Sequence, residues 1–220
     1  MGHTPRSMAE GAGKESTPIV YVVDDDADMR DAITSLLRSA GLRSLAFATP
    51  QQFLETRRED APSCVILDLQ LPGMDGLEVQ RRLARAAVVP PIVFVTGHGD
   101  IPTTVRAMKS GALEFLTKPF DDGHLLRAVE QALERDRDAR QRHRQLAELA
   151  QRHATLTPRE RQVMALVVGG MPNKEVAARL GTSEITVKIH RARVMRKMGS
   201  GSLAELVRMA EAIAGSHTKG

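Results

Sequence analysis

The chain has no tryptophan, one tyrosine, five phenylalanines and a single cysteine among 220 residues. One cysteine cannot form an intramolecular disulfide or a cysteine cluster for zinc. Cys64 lies inside the apolar run Cys64-Val65-Ile66-Leu67 and reads as core packing. Aromatic residues at 3% leave too few rings for the stacking platforms that hold single-stranded nucleic acid. No apolar run approaches the roughly 18 to 20 residues of a membrane span, and no basic start followed by an apolar stretch marks a secretory signal. These absences predict a soluble, cytoplasmic protein with no membrane partner.

What is present is charge, unevenly divided. The net charge of +4 conceals a segment from Ile19 to Leu125 with 11 basic against 15 acidic residues, a balance of −4. Ala154 to Gly220 carries 11 against 5, a balance of +6. The first segment suits cations and the second suits polyanions. The length accommodates one domain of ordinary size and a smaller one.

Residues 1–17, rich in Gly, Ser, Thr and Pro, have no apolar period and read as a disordered tail, and residues 216–220 read as a short C-terminal tail. From 18 to 122, short apolar runs alternate with segments of helical period, the rhythm of a doubly wound α/β domain with a five-stranded parallel sheet. The runs predict strands at Ile19–Val23, Arg43–Phe47, Cys64–Leu67, Ile92–Val95 and Glu114–Leu116. Helices are expected near Ala27–Ala40, Pro50–Arg58, Gly76–Arg85, Ile101–Ser110 and from Asp122 onward. Residues 123–154 read as a helical linker: Leu125, Val129 and Leu133 are apolar, the charged run from Arg135 to Arg140 has no place in a core, and Leu146 and Leu149 dock at the far end.

Residues 155–215 predict a smaller all-α domain. Thr157, Pro158 and Glu160 form a capping box that starts a helix. Asn173 is expected to cap Lys174–Leu180, Ser183 to cap Glu184–Met198, and Ser202 with Glu205 to make a second capping box. The turn Gly181-Thr182-Ser183 between two of these helices is the length a helix-turn-helix unit requires.

Strand one ends in Asp24-Asp25-Asp26 and strand three in Asp68. In an open doubly wound sheet, functional groups gather at the carboxyl ends of the strands near the point where the strand order reverses, which brings Asp24, Asp25 and Asp68 together. Carboxylates about 5 Å apart repel by roughly 3 kcal/mol per pair at an effective dielectric near 20, so a cation belongs between them. Mg²⁺, which takes carboxylate oxygens, waters and phosphate oxygens, fits. Strand four ends in Thr96 and strand five in Lys118-Pro119, which places a hydroxyl and an ammonium beside phosphoryl oxygens, with Asp68 as the carboxylate nucleophile.

This set resembles the receiver domains of two-component signalling, and Leu71-Pro72-Gly73-Met74-Asp75-Gly76 matches the loop after their phosphorylated aspartate. The resemblance implies Asp68 as phosphoacceptor, and Asp25 and the Gln70 backbone carbonyl as ligands to Mg²⁺, for which Mn²⁺ can substitute. Asp24 would act through water, Lys118 would pair with the phosphoryl group, Thr96 would be the switch hydroxyl and Phe115 the switch aromatic. Asp26 falls outside this set. The Lys118–Pro119 bond is a candidate for the cis form, and His98 reads as a solvated loop residue near the site.

In the last domain, Leu156-Thr157-Pro158-Arg159-Glu160, Asn173-Lys174-Glu175-Val176-Ala177 and Thr186-Val187-Lys188-Ile189-His190 are similar to the LuxR/NarL-type output domain. The whole chain resembles a FixJ-type response regulator. A helical wheel turns Val187, Val194 and Met198 inward and Ile189, Ala192, Arg193 and Arg196 outward. The resemblance implies base contacts from Lys188, Ile189 and Ala192, and phosphate contacts from Thr186, Arg193, Arg196 and Lys197.

It also implies the partners: a sensor histidine kinase, duplex promoter DNA, RNA polymerase, and a second copy joined on phosphorylation through Val105, Met108, Lys109 and Ala112. The chain is then no enzyme beyond accepting and losing its own phosphoryl group. Two rivals are a Mg²⁺-dependent phosphatase or phosphotransferase, and a pseudo-receiver whose DNA binding ignores phosphate.

Overall fold

The computed structural model describes residues 16–97 and 101–217. His98, and the tails up to residue 15 and from residue 218, lie outside the described residues. Two compact units divide the chain, residues 1–140 and 141–220. Among the described residues no helix is long and apolar enough to cross a membrane.

In the first unit, β1 (Ile19–Val23), β2 (Arg43–Phe47), β3 (Ser63–Asp68), β4 (Ile92–Thr96) and β5 (Glu114–Thr117) alternate with α1 (Ala27–Ser39), α2 (Pro50–Glu55), α3 (Gly76–Leu83), α4 (Ile101–Lys109) and α5 (Asp122–Ala154). The strands pair in parallel in the order β2-β1-β3-β4-β5. Crossing helices cover both faces, which is why the strands read as unbroken apolar runs. Ile19, Tyr21 and Val23 enter one core with Leu67 and Phe94, whereas Val20 and Val22 enter the other with Ile66 and Val93. Each such side chain, fully removed from water, contributes roughly 1.5–3 kcal/mol. The edge strand β2 leaves Arg43, Leu45 and Ala46 exposed.

Most helix ends fall within a residue or two of their expected places. The exception, α2, stops at Glu55 because Thr56 turns extended and its hydroxyl donates to the Gln52 carbonyl, 2.7 Å away. The charged run from Arg135 to Arg140 departs further from expectation. Leu125, Val129, Ala132 and Leu133 carry α5 along the sheet, and Asp136, one turn on, is fully buried. Asp136 Oδ2 accepts from the Ser63 backbone N–H at 2.7 Å and from Arg140 Nε at 2.6 Å, and Arg140 Nη1 donates to Asp60 at 2.8 Å. Composition does not show that one residue of a polar run faces the foot of β3. This single buried carboxylate ties α5 to the foot of β3.

The second unit contains the end of α5 and α6 (Pro158–Val168), α7 (Asn173–Leu180), α8 (Glu184–Met198) and α9 (Leu203–His217). Its core joins Leu156, Met164, Val194, Met198 and Leu206, with Leu149 packed against them. Leu146 is half-buried and outside that cluster. Thr157 and Glu160 make the reciprocal capping box, and the Ser183 hydroxyl accepts from Thr186 N–H at 3.2 Å. Two caps differ from expectation. Pro172 occupies the cap of α7, and Asn173 stands inside the helix, its side chain accepting from Arg191 at 3.3 Å. Glu205 returns to the Gly201 N–H rather than to that of Ser202, since the loop before α9 turns one residue earlier.

Candidate functional site

β1 and β3 are neighbours, with Val23 opposite Leu67, so their next residues emerge side by side. Asp24, Asp25 and Asp68 consequently have carboxylate oxygens within 4.8 Å of one another. Asp24 and Asp68 are buried and Asp25 is exposed. Asp26 turns away: its carboxylate accepts from the N–H groups of Asp28 and Met29 and caps α1.

From β5, Lys118 reaches across the sheet. Its ammonium donates to Asp24 at 2.7 Å and to Asp68 at 2.8 Å. The Lys118–Pro119 bond is cis. Burial pushes the Asp24 carboxyl up, against the pull of the Lys118 hydrogen bond. Burial also opposes the charge on Lys118, but its hydrogen bonds to Asp24 and Asp68 outweigh that and raise it. Three carboxylates against one ammonium leave a formal −2 in a partly desolvated place. All-oxygen donors with that charge suit a hard divalent cation.

Neighbouring groups also engage the two buried aspartates. Asp68 Oδ1 accepts from the Gln70 N–H at 2.9 Å, and Arg30, which sequence reasoning passed over, donates to the Asp24 backbone carbonyl at 2.8 Å. The loop after β3 returns tightly, and Asp75 caps α3 by accepting from Glu78 N–H at 2.7 Å. At Gly76 a Cβ would stand 2.7 Å from the Asp68 carbonyl oxygen and 2.9 Å from Phe94, so only glycine lets α3 start there. Thr96, at the tip of β4, is fully buried. Phe115 is half-buried, its ring 6.4 Å from that of Phe94.

On α4, Val105 and Met108 are 43% and 42% exposed, and Lys109 is exposed. Ala112 is different: it packs in the core at 8% exposure, because the turn after α4 leads inward to β5, and it is no part of an outward surface. Ile101, 81% exposed, shares the α4 face with Val105 and Met108 and was not singled out by sequence.

In the second unit, Val187, Val194 and Met198 fix the inner face of α8, being at most 1% exposed. Lys188, Ile189, Ala192, Arg193 and Arg196 are exposed. Lys188 lies 3.6 Å from Glu184 one turn back. Two residues expected on phosphates are engaged locally. The Thr186 hydroxyl is 2.8 Å from that of Ser183, within the helix cap. The Lys197 ammonium donates to Glu160 at 2.6 Å and to the Thr155 carbonyl at 3.0 Å. Glu160 is 3% exposed, and its hydrogen bond from Lys197 holds its pKa down at about 2. Lys197 thus belongs to an internal ion pair tying α8 to the start of α6, because the capping box that orients Glu160 also aims its carboxylate at α8. A capping signature alone does not reveal that second partner.

Comparison with known proteins accords with both halves. The family of response regulator receiver domains matches residues 20–130, and that of bacterial regulatory proteins of the LuxR family matches residues 154–210. Nodulation protein W of Bradyrhizobium diazoefficiens is 50% identical over 99% of this chain and 93% of its own length. The structure of response regulator StyR is similar at a TM-score of 0.79 and 47% identity, covering 89% of this chain and 99% of that one. Full-length FixJ from B. japonicum is similar at a TM-score of 0.53 and 42% identity, over 89% and 97%. With a receiver site at the strand tips and a LuxR-type helix-turn-helix behind it, the chain belongs to the two-component response regulators of the FixJ type.

Proposed function

We propose that Asp68 accepts a phosphoryl group from a sensor histidine kinase, and that the phosphorylated chain dimerises and binds promoter DNA to set the access of RNA polymerase. The observation that carries this reading is the cluster of Asp24, Asp25 and Asp68, two of which, Asp24 and Asp68, hold the ammonium of Lys118. An Asp68 oxygen attacks phosphorus as the bond to the donor breaks, so the donor leaves with its electron pair and the aspartate becomes an acyl phosphate. Asp25, Asp68 and the Gln70 carbonyl would hold Mg²⁺, with Asp24 acting through water; Mn²⁺ can substitute. The bound cation supplies charge neutralisation during transfer. Lys118, already in place, exchanges a carboxylate oxygen for a phosphoryl oxygen.

The added charge draws the Thr96 hydroxyl inward, and Phe115 turns into the space released. The face that responds carries Ile101, Val105, Met108 and Lys109, an apolar stripe suited to a second copy. In the output domain, Lys188, Ile189, Ala192, Arg193 and Arg196 form the DNA-facing side of α8, whereas Thr186 and Lys197 position it. Moving such a pair of domains from mostly inactive to mostly active takes about 5.5 kcal/mol, a sum that phosphoryl contacts and dimerisation supply together.

The test is incubation of the full chain with Mg²⁺ and a small acyl phosphate, followed by intact mass and peptide mapping. One stable modification on Asp68, with tighter promoter binding, is the expected result. Multiple turnover without a modified chain would instead support a phosphatase. Equal DNA binding by Asp68→Asn and the treated wild type would support a pseudo-receiver.

A further inference from the structure

Among the described residues, the large hydrophobic side chains left exposed in the second unit are Ile185, at 71%, and Ile189, at 48%. Both stand on α8. At about 100° per residue, Ile185, Ile189, Ala192 and Arg196 fall within roughly 60° of one another, and the centre of the buried trio Val187, Val194 and Met198 lies about 180° away. An isoleucine in the first turn of a helix, facing away from its own core, gains nothing from folding.

We infer that Ile185, together with Ile189, reads the C5-methyl groups of thymines in the major groove. This deepens the DNA-binding reading of α8 and rests on it. A recognition helix meets base edges through its N-terminal residues, and Ile185 is the second residue of α8. An aliphatic side chain offers neither donor nor acceptor, and the apolar group that the four bases present in that groove is the thymine methyl. Four residues along a helix advance about 6 Å, roughly two base-pair steps, so the two methyls lie at fixed positions a short distance apart. Lys188 and Arg193 flank the apolar stripe on either side, and Arg196 continues it toward the end of the helix, leaving the centre to shape and methyl contact rather than to hydrogen bonds.

The experiment uses the acyl-phosphate-treated full chain and a duplex enriched by that protein from a random pool. Each thymine of the enriched site is replaced in turn by deoxyuridine, which keeps the pairing and removes only the methyl. Affinity of the wild type falls about fourfold at each of two positions, the factor that one buried methyl supplies. Ile185→Ala becomes indifferent to the replacement at one of them and stays sensitive at the other, and Ile189→Ala shows the reverse. Both variants retain the wild-type thermal transition, since neither side chain is in the core. Indifference of the wild type to every replacement, or unchanged sensitivity in Ile185→Ala, overturns the inference while leaving DNA binding intact. A pool that yields no enriched sequence overturns the DNA-binding reading itself, and the inference with it.

Discussion

In the receiver, three carboxylates from two strand tips cluster together, and a single lysine bridges two of them, Asp24 and Asp68. In the output domain, Lys188, Arg193 and Arg196 lie on the exposed face of α8, and Glu160, buried at the start of α6, has its own lysine in Lys197. The first arrangement concentrates charge where solvent is reduced, so that one added group changes the balance by several kcal/mol. The second spreads charge along a surface where each member contributes little alone and the sum depends on salt. The two halves thus place the same residue types in opposite environments.

The comparison breaks most visibly at Asp68. Asp68→Asn is expected to abolish modification by an acyl phosphate, and Lys118→Ala to slow it by about a hundredfold or more, as loss of a positioned charge at a reacting centre does; intact mass against time reads both. Next in size, Asp136→Ala leaves the mostly buried Arg140 with only the exposed carboxylate of Asp60 and strips the Ser63 N–H of its acceptor, and should lower the stability of the receiver by about 3 kcal/mol, seen as a shift of one calorimetric transition of the full chain. Gly76→Ala forces a methyl against the Asp68 carbonyl and should cost about 2 kcal/mol in the same transition.

On the dispersed side the effects are smaller. Arg193→Ala should weaken DNA binding about equally for all sequences and reduce the slope of log affinity against log salt by about one. Lys197→Ala, by contrast, should act on the stability of the output domain first, since its ammonium is held by Glu160. The smallest expected effect is the pH dependence of that pair, which is flat at neutral pH. The folded-state pKa of Glu160 lies below its unfolded value, so the stability it contributes is complete above about pH 4.5 and is lost as pH falls toward about 2. Acid titration of the output transition should show this slope in the wild type and lose it in Glu160→Gln.

Much of this was legible from local pattern. Asp24, Asp25, Asp68 and Lys118 could be placed because each closes an apolar run, and parallel strands whose order reverses between β1 and β3 bring such ends together. The α8 face could be placed because helical period separates Val187, Val194 and Met198 from the basic residues. Pattern failed where a residue's surroundings come from distant chain. Ala112 follows a helix with an exposed face but sits in the core. Asp136 looks like its charged neighbours, yet it meets the foot of β3, 73 residues away. Ile185 falls outside the outward set that the wheel named, and its exposure of 71% appears only in the structure.

By itself the sequence determined the two domains, the strand tips that carry the acidic set and the basic helix, since period, runs and turn residues act within a few residues of one another. The tertiary structure decided which charges are spoken for: Lys118 and Lys197 are both lysines near the end of an element, and only their partners, Asp24 with Asp68 for one and Glu160 for the other, separate a member of the acidic cluster from a tie between two helices. Electrostatic energy depends on distance and on the exclusion of water, and neither is a property of the local chain.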